Sequence, residues 1–276
     1  MRLPMTGRPK SEPDSRSIAI FDSGVGGLTV FREIARALPQ ESLIYLGDSA
    51  RLPYGTKSAQ TIERYALQAA GHLVAQNIKM LVVACNTATA FALPLLQARL
   101  EVPVIGVIGP GASAAVAVSR GTIGVIATEG TVRAGAYRKA IHDIDSSIEV
   151  IEQACPLFVA LAEEGWANTH VAREVAEIYL TPLVDAGIDT LVLGCTHYPL
   201  LRSTIHHVAG EGITIVDSAE TTAQAVAAEL KIQKAIASNG AGVRRFQITD
   251  ASERFSRIAA EFLESPMQEV ELVSLG

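Results

Sequence analysis

The sequence predicts an α/β fold made of two similar α/β domains with mainly parallel sheets. Short β-rich runs alternate with amphipathic helical stretches along the 276 residues. The predicted strands are continuous apolar runs rather than alternating ones, which is typical of parallel strands covered on both faces. The same order of strands and helices recurs about 105 to 110 residues further on, so we expect two copies of one design.

In the first copy, four predicted strands are each followed by a helical stretch. The strands are 17–21, 42–47, 80–85 and 102–108, and the helices are 28–38, 59–77, 88–100 and 112–119. In the second copy the strands are "TIGVIAT", "SIEVIEQA", "TLVLGC" and "ITIVDS". The stretch 244–263 predicts one more strand and helix, which we expect to return to the first domain.

Three segment pairs carry the internal similarity. "IAIFDSGVGGLTVFREIARAL" resembles "IGVIATEGTVRAGAYRKAI", "SLIYLGDS" resembles "SIEVIEQA", and "LVVACNT" resembles "LVLGCTH". We therefore expect one α/β domain from 17–108 plus 218–276 and another from 109–217, with the active site in the cleft between them. The polar, proline-containing segment 1–16 is expected to be a disordered extension.

Composition excludes several classes of protein. The net charge of −6 and the scattered basic residues argue against nucleic-acid binding, and no apolar run is long enough to span a membrane. The N-terminus lacks the apolar core of a signal peptide, so we expect a cytoplasmic protein with reduced thiols. Three cysteines cannot all pair, which makes a disulfide framework an unsuitable interpretation.

Two of the cysteines stand at the ends of predicted strands. Cys85 is followed by an asparagine and a threonine, and Cys195 by a threonine and a histidine. A cysteine in such a place is often only a small core residue. However, each of these opens a polar run that leads into a helix, where backbone N–H groups and the helix dipole favour a thiol with a lowered pKa. Because ligands bind at the carboxyl ends of parallel strands, the two thiols could form opposite walls of one site.

The segment "DSGVGG" places Asp22 and Ser23 at another strand end. Its glycines would let the backbone approach a ligand closely. The pattern differs from the dinucleotide fingerprint and from a phosphate-binding loop, and the simpler alternative is that Asp22 or Ser23 caps the following helix. His197 could likewise be a helix cap or could move protons beside Cys195. A zinc site lacks the usual ligand spacing, and Cys155 is interpreted as structural.

Six ordered motifs give the chain a close resemblance to the glutamate racemases of the cofactor-independent aspartate/glutamate racemase superfamily. They are "FDSGVGGLTV", "GDSARLPYG", "ACNTATA", "GTIGVIATEGTV", "ACPLFVALAEEG" and "LGCTHYPLL". The resemblance implies that Cys85 and Cys195 are the catalytic thiols, Cys85 acting on D-glutamate and Cys195 on L-glutamate, with Asp22, His197 and Glu163 assisting them. It also implies a substrate-binding set consisting of Asp22, Ser23, Tyr54, Gly55, Asn86, Thr87, Thr196 and His197.

The resemblance further implies L- and D-glutamate as substrates, no cofactor, no metal, a homodimer and a role in supplying D-glutamate for peptidoglycan. Two groups on opposite sides of Cα suit this chemistry, because one group reaches only one face of the carbon. Three alternatives remain open at this point. The chain could be an aspartate or broader amino-acid racemase, a non-catalytic dicarboxylate-binding protein, or a dithiol redox protein.

Overall fold

A computed structural model describes residues 14–237, 240–250, 253–266 and 269–275. The first thirteen residues of the predicted N-terminal extension 1–16 therefore lie outside the described residues. Its last residues contact the body of the protein: the backbone carbonyl of Asp14 accepts a hydrogen bond from Lys79 Nζ at 2.7 Å.

The first sheet contains six parallel strands in the order β10-β9-β2-β1-β3-β4. Their bounds are Ile18–Asp22 (β1), Leu43–Gly47 (β2), Met80–Val83 (β3), Val104–Gly106 (β4), Arg244–Ile248 (β9) and Val270–Leu272 (β10). The C-terminal strand β9 pairs with β2, so the chain returns to this sheet after building the other one. The short strand β10 is not among the strands predicted from the sequence.

The second sheet contains four parallel strands in the order β6-β5-β7-β8. Their bounds are Thr122–Ala127 (β5), Glu149–Ala154 (β6), Thr190–Gly194 (β7) and Thr214–Asp217 (β8). The predicted fold class, α/β with two mainly parallel sheets, is confirmed.

Eleven α-helices lie within the described residues. They are Leu28–Ala37 (α1), Ala59–Val74 (α2), Asn86–Arg99 (α3), Ile108–Val118 (α4), Glu129–Ala134 (α5), Ala136–Ile144 (α6), Leu157–Glu163 (α7), His170–Asp185 (α8), Arg202–Ala209 (α9), Ser218–Ile232 (α10) and Glu253–Leu263 (α11). In the part of the chain that the structure describes, no helix has both the length and the apolar composition that a membrane span requires.

One predicted boundary is wrong. The apolar run 102–108 was expected to be a single strand, but β4 ends at Gly106 and α4 begins at Ile108. Val104, Val107 and Ile108 are all buried, so the apolar run continues across the boundary between strand and helix. A run of buried residues carries no periodicity that separates a strand from a buried helix.

The two sheets repeat one topology, as the sequence similarity predicts. Strands β2, β1, β3 and β4 lie in the same spatial order as β6, β5, β7 and β8. Cys85 follows β3 and Cys195 follows β7, so the two cysteines occupy equivalent places in the two sheets. Asp22 ends β1, and Thr128 follows the equivalent strand β5. The carboxyl ends of β1, β3, β5 and β7 therefore bring Asp22, Cys85, Thr128 and Cys195 to the candidate site.

A buried ion pair lies at the amino ends of the strands of the first sheet, away from the candidate site. Lys79 Nζ lies 2.5 Å from Glu41 Oε2, and both side chains are almost completely buried. Lys79 also donates to the carbonyl of Ala235, beyond the end of α10, at 2.7 Å. The pair thus links the start of β3 to the loop before β2 and to the segment that leads back to β9.

We predict that Lys79→Met destabilises the protein by about 3–5 kcal/mol, because it leaves the carboxylate of Glu41 buried without its cation. Equilibrium unfolding in urea measures the change. The matched control is Lys139→Met, which removes an exposed pair with Asp143 at 2.6 Å and should cost at most about 0.5 kcal/mol. Equal losses in the two variants would contradict this account of the buried pair.

Candidate active site

A small internal cavity lies where the carboxyl ends of the two sheets face each other. Its volume is about 50 Å³. Its lining combines Cys85 and Cys195 with ten other residues, namely Ser23, Pro53, Tyr54, Gly55, Asn86, Thr87, Thr128, Val159, Thr196 and His197. A wider outer cavity of about 320 Å³ shares six of these residues and adds Glu163 to its wall. Nine of the residues predicted from the sequence thus line the inner cavity, Glu163 lines the outer one, and Asp22 is buried beneath them.

Cys85 is the N-cap of α3. Its Sγ accepts a hydrogen bond from the backbone N–H of Ala88 at 3.4 Å and donates one to Ser23 Oγ at 3.5 Å. The sequence predicts a lowered pKa for a thiol in this position, and for Cys85 that prediction is wrong. Burial and the nearby carboxylate of Asp22 raise the pKa of Cys85 to about 12, although its hydrogen bonds with Ser23 and with the N–H of Ala88 oppose that rise. The resting thiol of Cys85 therefore keeps its proton.

Asp22 is completely buried at the end of β1. Its Oδ2 accepts a hydrogen bond from the backbone N–H of Gly24 at 2.9 Å, while Oδ1 has no partner among the described residues. Burial raises the pKa of Asp22, and the charge of His197 and the surrounding backbone N–H groups partly oppose that rise. Helix α1 begins after Gly27 without a side-chain cap, so neither Asp22 nor Ser23 is its N-cap. The simple capping interpretation of these two residues is therefore wrong.

Cys195 belongs to a chain of three groups. Its Sγ lies 3.8 Å from Nδ1 of His197, whose Nε2 lies 3.1 Å from Oε1 of Glu163. Burial alone would lower the pKa of His197, but the hydrogen bonds to Cys195 and Glu163 raise it to about 10. The imidazole ring of His197 and the ring of Phe262 of α11 pack edge to face, with their centroids 5.3 Å apart. An imidazolium held in this way can exchange a proton with the thiol beside it.

The two cysteine positions are equivalent in topology but differ in local structure. Cys85 leads directly into an α-helix, whereas a turn and the 3₁₀-helix Tyr198–Leu201 follow Cys195 before α9. His197 precedes that 3₁₀-helix without capping it through its side chain. The surroundings of Cys85 are therefore a helix end, and those of Cys195 are a histidine and a carboxylate.

The glycines of "DSGVGG" make room for protein rather than for a ligand. A Cβ added at Gly26 would lie 2.4 Å from Oγ1 of Thr196 and 2.5 Å from Nδ1 of His197. A Cβ added at Gly27 would lie 2.4 Å from Cβ of Asp22. The lack of a side chain at Gly26 therefore lets this loop pack directly against Thr196 and His197, whereas Gly27 makes room for the side chain of Asp22 in its own half.

Three threonine hydroxyls form a ring between the two halves. Thr87 Oγ1 of α3 lies 2.9 Å from Thr128 Oγ1 and 3.2 Å from Thr131 Oγ1, and the last two lie 3.1 Å apart. Thr128 lines both cavities but is absent from the predicted site. The internal repeat could have identified it, because Thr128 follows β5 as Ser23 follows β1.

Tyr54 contributes its ring to the cavity while its hydroxyl is held elsewhere. The hydroxyl donates a hydrogen bond to Asp48 Oδ2 at 2.5 Å. Neighbouring Gly55 packs against Thr128, since an added Cβ would lie 3.1 Å from the threonine Cβ. Gly55 therefore lets the loop 53–56 reach the other half of the site.

Cys155 lies apart from the inner cavity. It is fully buried, and its Sγ lies 3.6 Å from the carbonyl oxygen of Gln153. None of the three cysteines forms a disulfide. Within the described ranges, no group of three or more histidine, cysteine, aspartate or glutamate side chains is arranged to hold a metal ion.

Comparison with known proteins identifies the family. Residues 21–226 match the family model of the Asp/Glu/Hydantoin racemases. The chain belongs to this family. A glutamate racemase of Geobacter metallireducens is 53% identical over 262 residues, which cover 94% of this chain and 97% of that protein.

Two solved structures of the family have the same fold as this chain. A glutamate racemase of Francisella tularensis in complex with D-glutamate superposes with a TM-score of 0.90 at 38% identity, covering 95% of this chain and 98% of that one. A glutamate racemase isoform of Bacillus anthracis gives a TM-score of 0.91 at 42% identity, covering 94% and 98% of the two chains.

The raised pKa of His197 predicts a pH-dependent contribution to stability. Because the pKa is raised from 6.5 to about 10 in the folded protein, the contribution is fully present below pH 6.5 and is lost as the pH rises towards 10. The difference in unfolding free energy between the parent and His197→Asn should therefore shrink over this range. Urea unfolding at several pH values measures it, and a difference that stays constant would contradict the hydrogen-bonded imidazolium.

Proposed function

We propose that the protein is a glutamate racemase that interconverts L- and D-glutamate without a cofactor and supplies D-glutamate for peptidoglycan biosynthesis. The observation that carries the proposal is that two free cysteines, from equivalent strand ends of two like sheets, line one cavity. Membership of the racemase family and 53% identity to a glutamate racemase over nearly the whole chain support it.

Racemisation needs a proton to leave one face of Cα and another to arrive on the opposite face. Two thiols with the substrate between them can do this, provided that one begins as thiolate and the other as thiol. After one turnover the two have exchanged roles. In the direction from L- to D-glutamate, Cys195 removes the proton and Cys85 donates one, and in the reverse direction the roles are exchanged.

The electrostatics of the site suit the first of these directions. The raised pKa of Cys85 keeps its thiol protonated, so a proton is present there for delivery to Cα. The imidazole of His197, backed by Glu163, is placed to exchange the proton that Cys195 gains or loses. The carboxylate of Asp22 lies close enough to raise the pKa of Cys85 by its charge, so we assign Asp22 an electrostatic role on that side.

The substrate carboxylates would be bound without a cationic side chain. The described residues that line the inner cavity include no arginine or lysine. They offer instead the N-terminus of α3, the hydroxyls of Ser23, Thr87, Thr128 and Thr196, and the amide of Asn86. Such neutral donors are effective when water is excluded, and they also suit the charge that develops when Cα is deprotonated.

The size of the cavity implies movement of its walls. About 50 Å³ is enough for a few water molecules, since one needs roughly 10–15 Å³. Glutamate therefore enters only when the walls separate, and closure around it would remove water from the reacting atoms. We propose that the halves 17–108 plus 218–276 and 109–217 are the two domains that move.

Two further features of the proposal come from the family resemblance. We propose that the enzyme acts in the cytoplasm, where the three thiols would remain reduced. We also propose that it is a homodimer. Light scattering of the purified protein determines its mass in solution, and a mass equal to one chain would contradict the proposed homodimer.

Replacing either catalytic thiol tests the proposed function directly. Cys85→Ala and Cys195→Ala should each abolish racemisation of L- and of D-glutamate, because every turnover uses both thiols. The matched control is Cys155→Ala, which removes a buried thiol that lies outside the inner cavity and should keep parental activity per folded molecule. Circular dichroism, with no added cofactor, follows the loss of ellipticity as each pure enantiomer is racemised.

The outcomes of this assay separate the rival functions. Parent protein that racemises aspartate faster than glutamate would indicate the aspartate racemase alternative. Parent protein that binds glutamate but racemises neither amino acid would indicate a dicarboxylate-binding protein. Near-normal activity in either Cys85→Ala or Cys195→Ala would refute the two-thiol mechanism.

A further inference from the structure

Tyr137 is a buried tyrosine of α6 that contacts the substrate cavity only through another residue. Its side chain is fully buried, and its hydroxyl donates a hydrogen bond to Oδ1 of Asn86 at 2.8 Å. Tyr137 belongs to the half that contains the second sheet, whereas Asn86 is the first residue of α3 in the other half. The bond therefore crosses between the two halves next to Cys85.

The surrounding backbone makes room for this ring. A Cβ added at Gly194, the residue before Cys195, would lie 3.0 Å from Cε2 of Tyr137. A Cβ added at Gly111 of α4 would lie 3.3 Å from the tyrosine hydroxyl oxygen. Both separations are shorter than an ordinary van der Waals contact. The slot between α4 and β7 therefore fits a tyrosine because these two positions lack side chains.

The hydrogen bond determines which way the amide of Asn86 faces. Its Oδ1 accepts from Tyr137, while Nδ2 is buried and has no hydrogen-bond partner among the described residues. Asn86 also lines the inner cavity. A buried N–H donor without a partner is costly, and a substrate carboxylate would supply the missing acceptor. Burial also raises the pKa of Tyr137 well above its ordinary value, so its hydroxyl remains a donor.

We propose that Tyr137 is a positioning residue for substrate binding, which holds the amide of Asn86 so that Nδ2 faces the cavity and donates to a carboxylate of glutamate. This inference rests on the proposed function. Without the tyrosine hydroxyl, the amide would lose its fixed orientation, and its oxygen could turn towards the substrate and repel it. The contact is made in the bound substrate and in the transition state alike, so its loss should affect binding more than turnover.

The central test is a double-mutant cycle with Tyr137→Phe and Asn86→Ala. Tyr137→Phe removes only the hydroxyl. It should raise KM for glutamate about tenfold, as expected when the amide of Asn86 loses its charge-assisted hydrogen bond to the substrate carboxylate. We expect kcat to stay within about twofold of the parent. In the Asn86→Ala background, Tyr137→Phe should have no further effect on kcat/KM. An unchanged KM in the single variant, or a full additional loss in the double variant, would overturn the proposal.

Tyr198→Phe is the matched control, because it also removes a buried tyrosine hydroxyl. That hydroxyl donates to the backbone carbonyl of Cys155 at 2.8 Å, away from Asn86. Its loss should lower stability to a similar degree and leave KM unchanged. A KM increase as large as that of Tyr137→Phe would show that the effect is a general consequence of losing a buried hydroxyl and would overturn the proposal.

Asn86→Asp tests the orientation even if Tyr137→Phe does not fold. The hydroxyl of Tyr137 can still donate to one carboxylate oxygen, but the other oxygen then replaces Nδ2 at the cavity. We expect KM to rise at least a hundredfold with the fold retained, and an unchanged KM would refute a donor role for Nδ2.

A binding measurement separates this proposal from the proposed function. Calorimetric titration with racemic glutamate reports binding without net turnover. Tyr137→Phe should weaken that binding about tenfold relative to the parent. Absence of racemisation with this binding difference intact would overturn the proposed function alone, whereas equal binding by parent and variant would overturn the role of Tyr137.

Discussion

A carbon atom can be deprotonated only from the face on which a base stands, and the arrangement of this protein follows from that constraint. Two proton-transfer groups must be held apart with the substrate between them. Two sheets of the same topology place a cysteine after β3 in one half and after β7 in the other, and the carboxyl ends of the strands face one cavity. The lack of a side chain at Gly26 allows the two halves to pack closely beside the cavity. In the proposed mechanism, the repeat in the fold thus supplies two similar groups for the two faces of one carbon.

The two sides of the site are nevertheless not copies of each other. Cys85 caps a helix and holds its proton because of burial and the charge of Asp22, whereas Cys195 stands beside a histidine that is hydrogen-bonded to Glu163. This asymmetry has a physical use. A pair of thiols in identical surroundings would have equal affinities for a proton, and the enzyme needs one of them protonated and the other not. We propose that the different neighbours of Cys85 and Cys195 make the two thiols unequal in this respect.

The sequence predicts the fold class and the internal repeat because both depend on hydrophobic patterns and on the order of elements, which are local properties. The positions of Asp22, Ser23, Cys85 and Cys195 around the cavity also follow, since these residues stand at or just after strand ends. Three features could not be predicted in this way. The pKa of Cys85 depends on its burial in the folded protein and on the charge of Asp22. The purpose of Gly26 depends on the approach of His197, and the proposed role of Tyr137 depends on a bond to Asn86, which is 51 positions away. The end of β4 was misjudged because a buried strand and a buried helix have similar composition.

The origin of the proton on the product tests the central claim most directly. L-Glutamate is incubated with the enzyme in deuterated water, and the two enantiomers are separated at low conversion and examined by proton NMR or mass spectrometry. Because thiol protons exchange with solvent, a proton delivered by the opposite thiol would be deuterium. The account predicts that the D-glutamate formed carries deuterium at Cα while the remaining L-glutamate stays mostly protiated. Early D-glutamate rich in Cα protium would show that a single base serves both faces, and it would contradict the arrangement of Cys85 and Cys195 on opposite sides of the substrate.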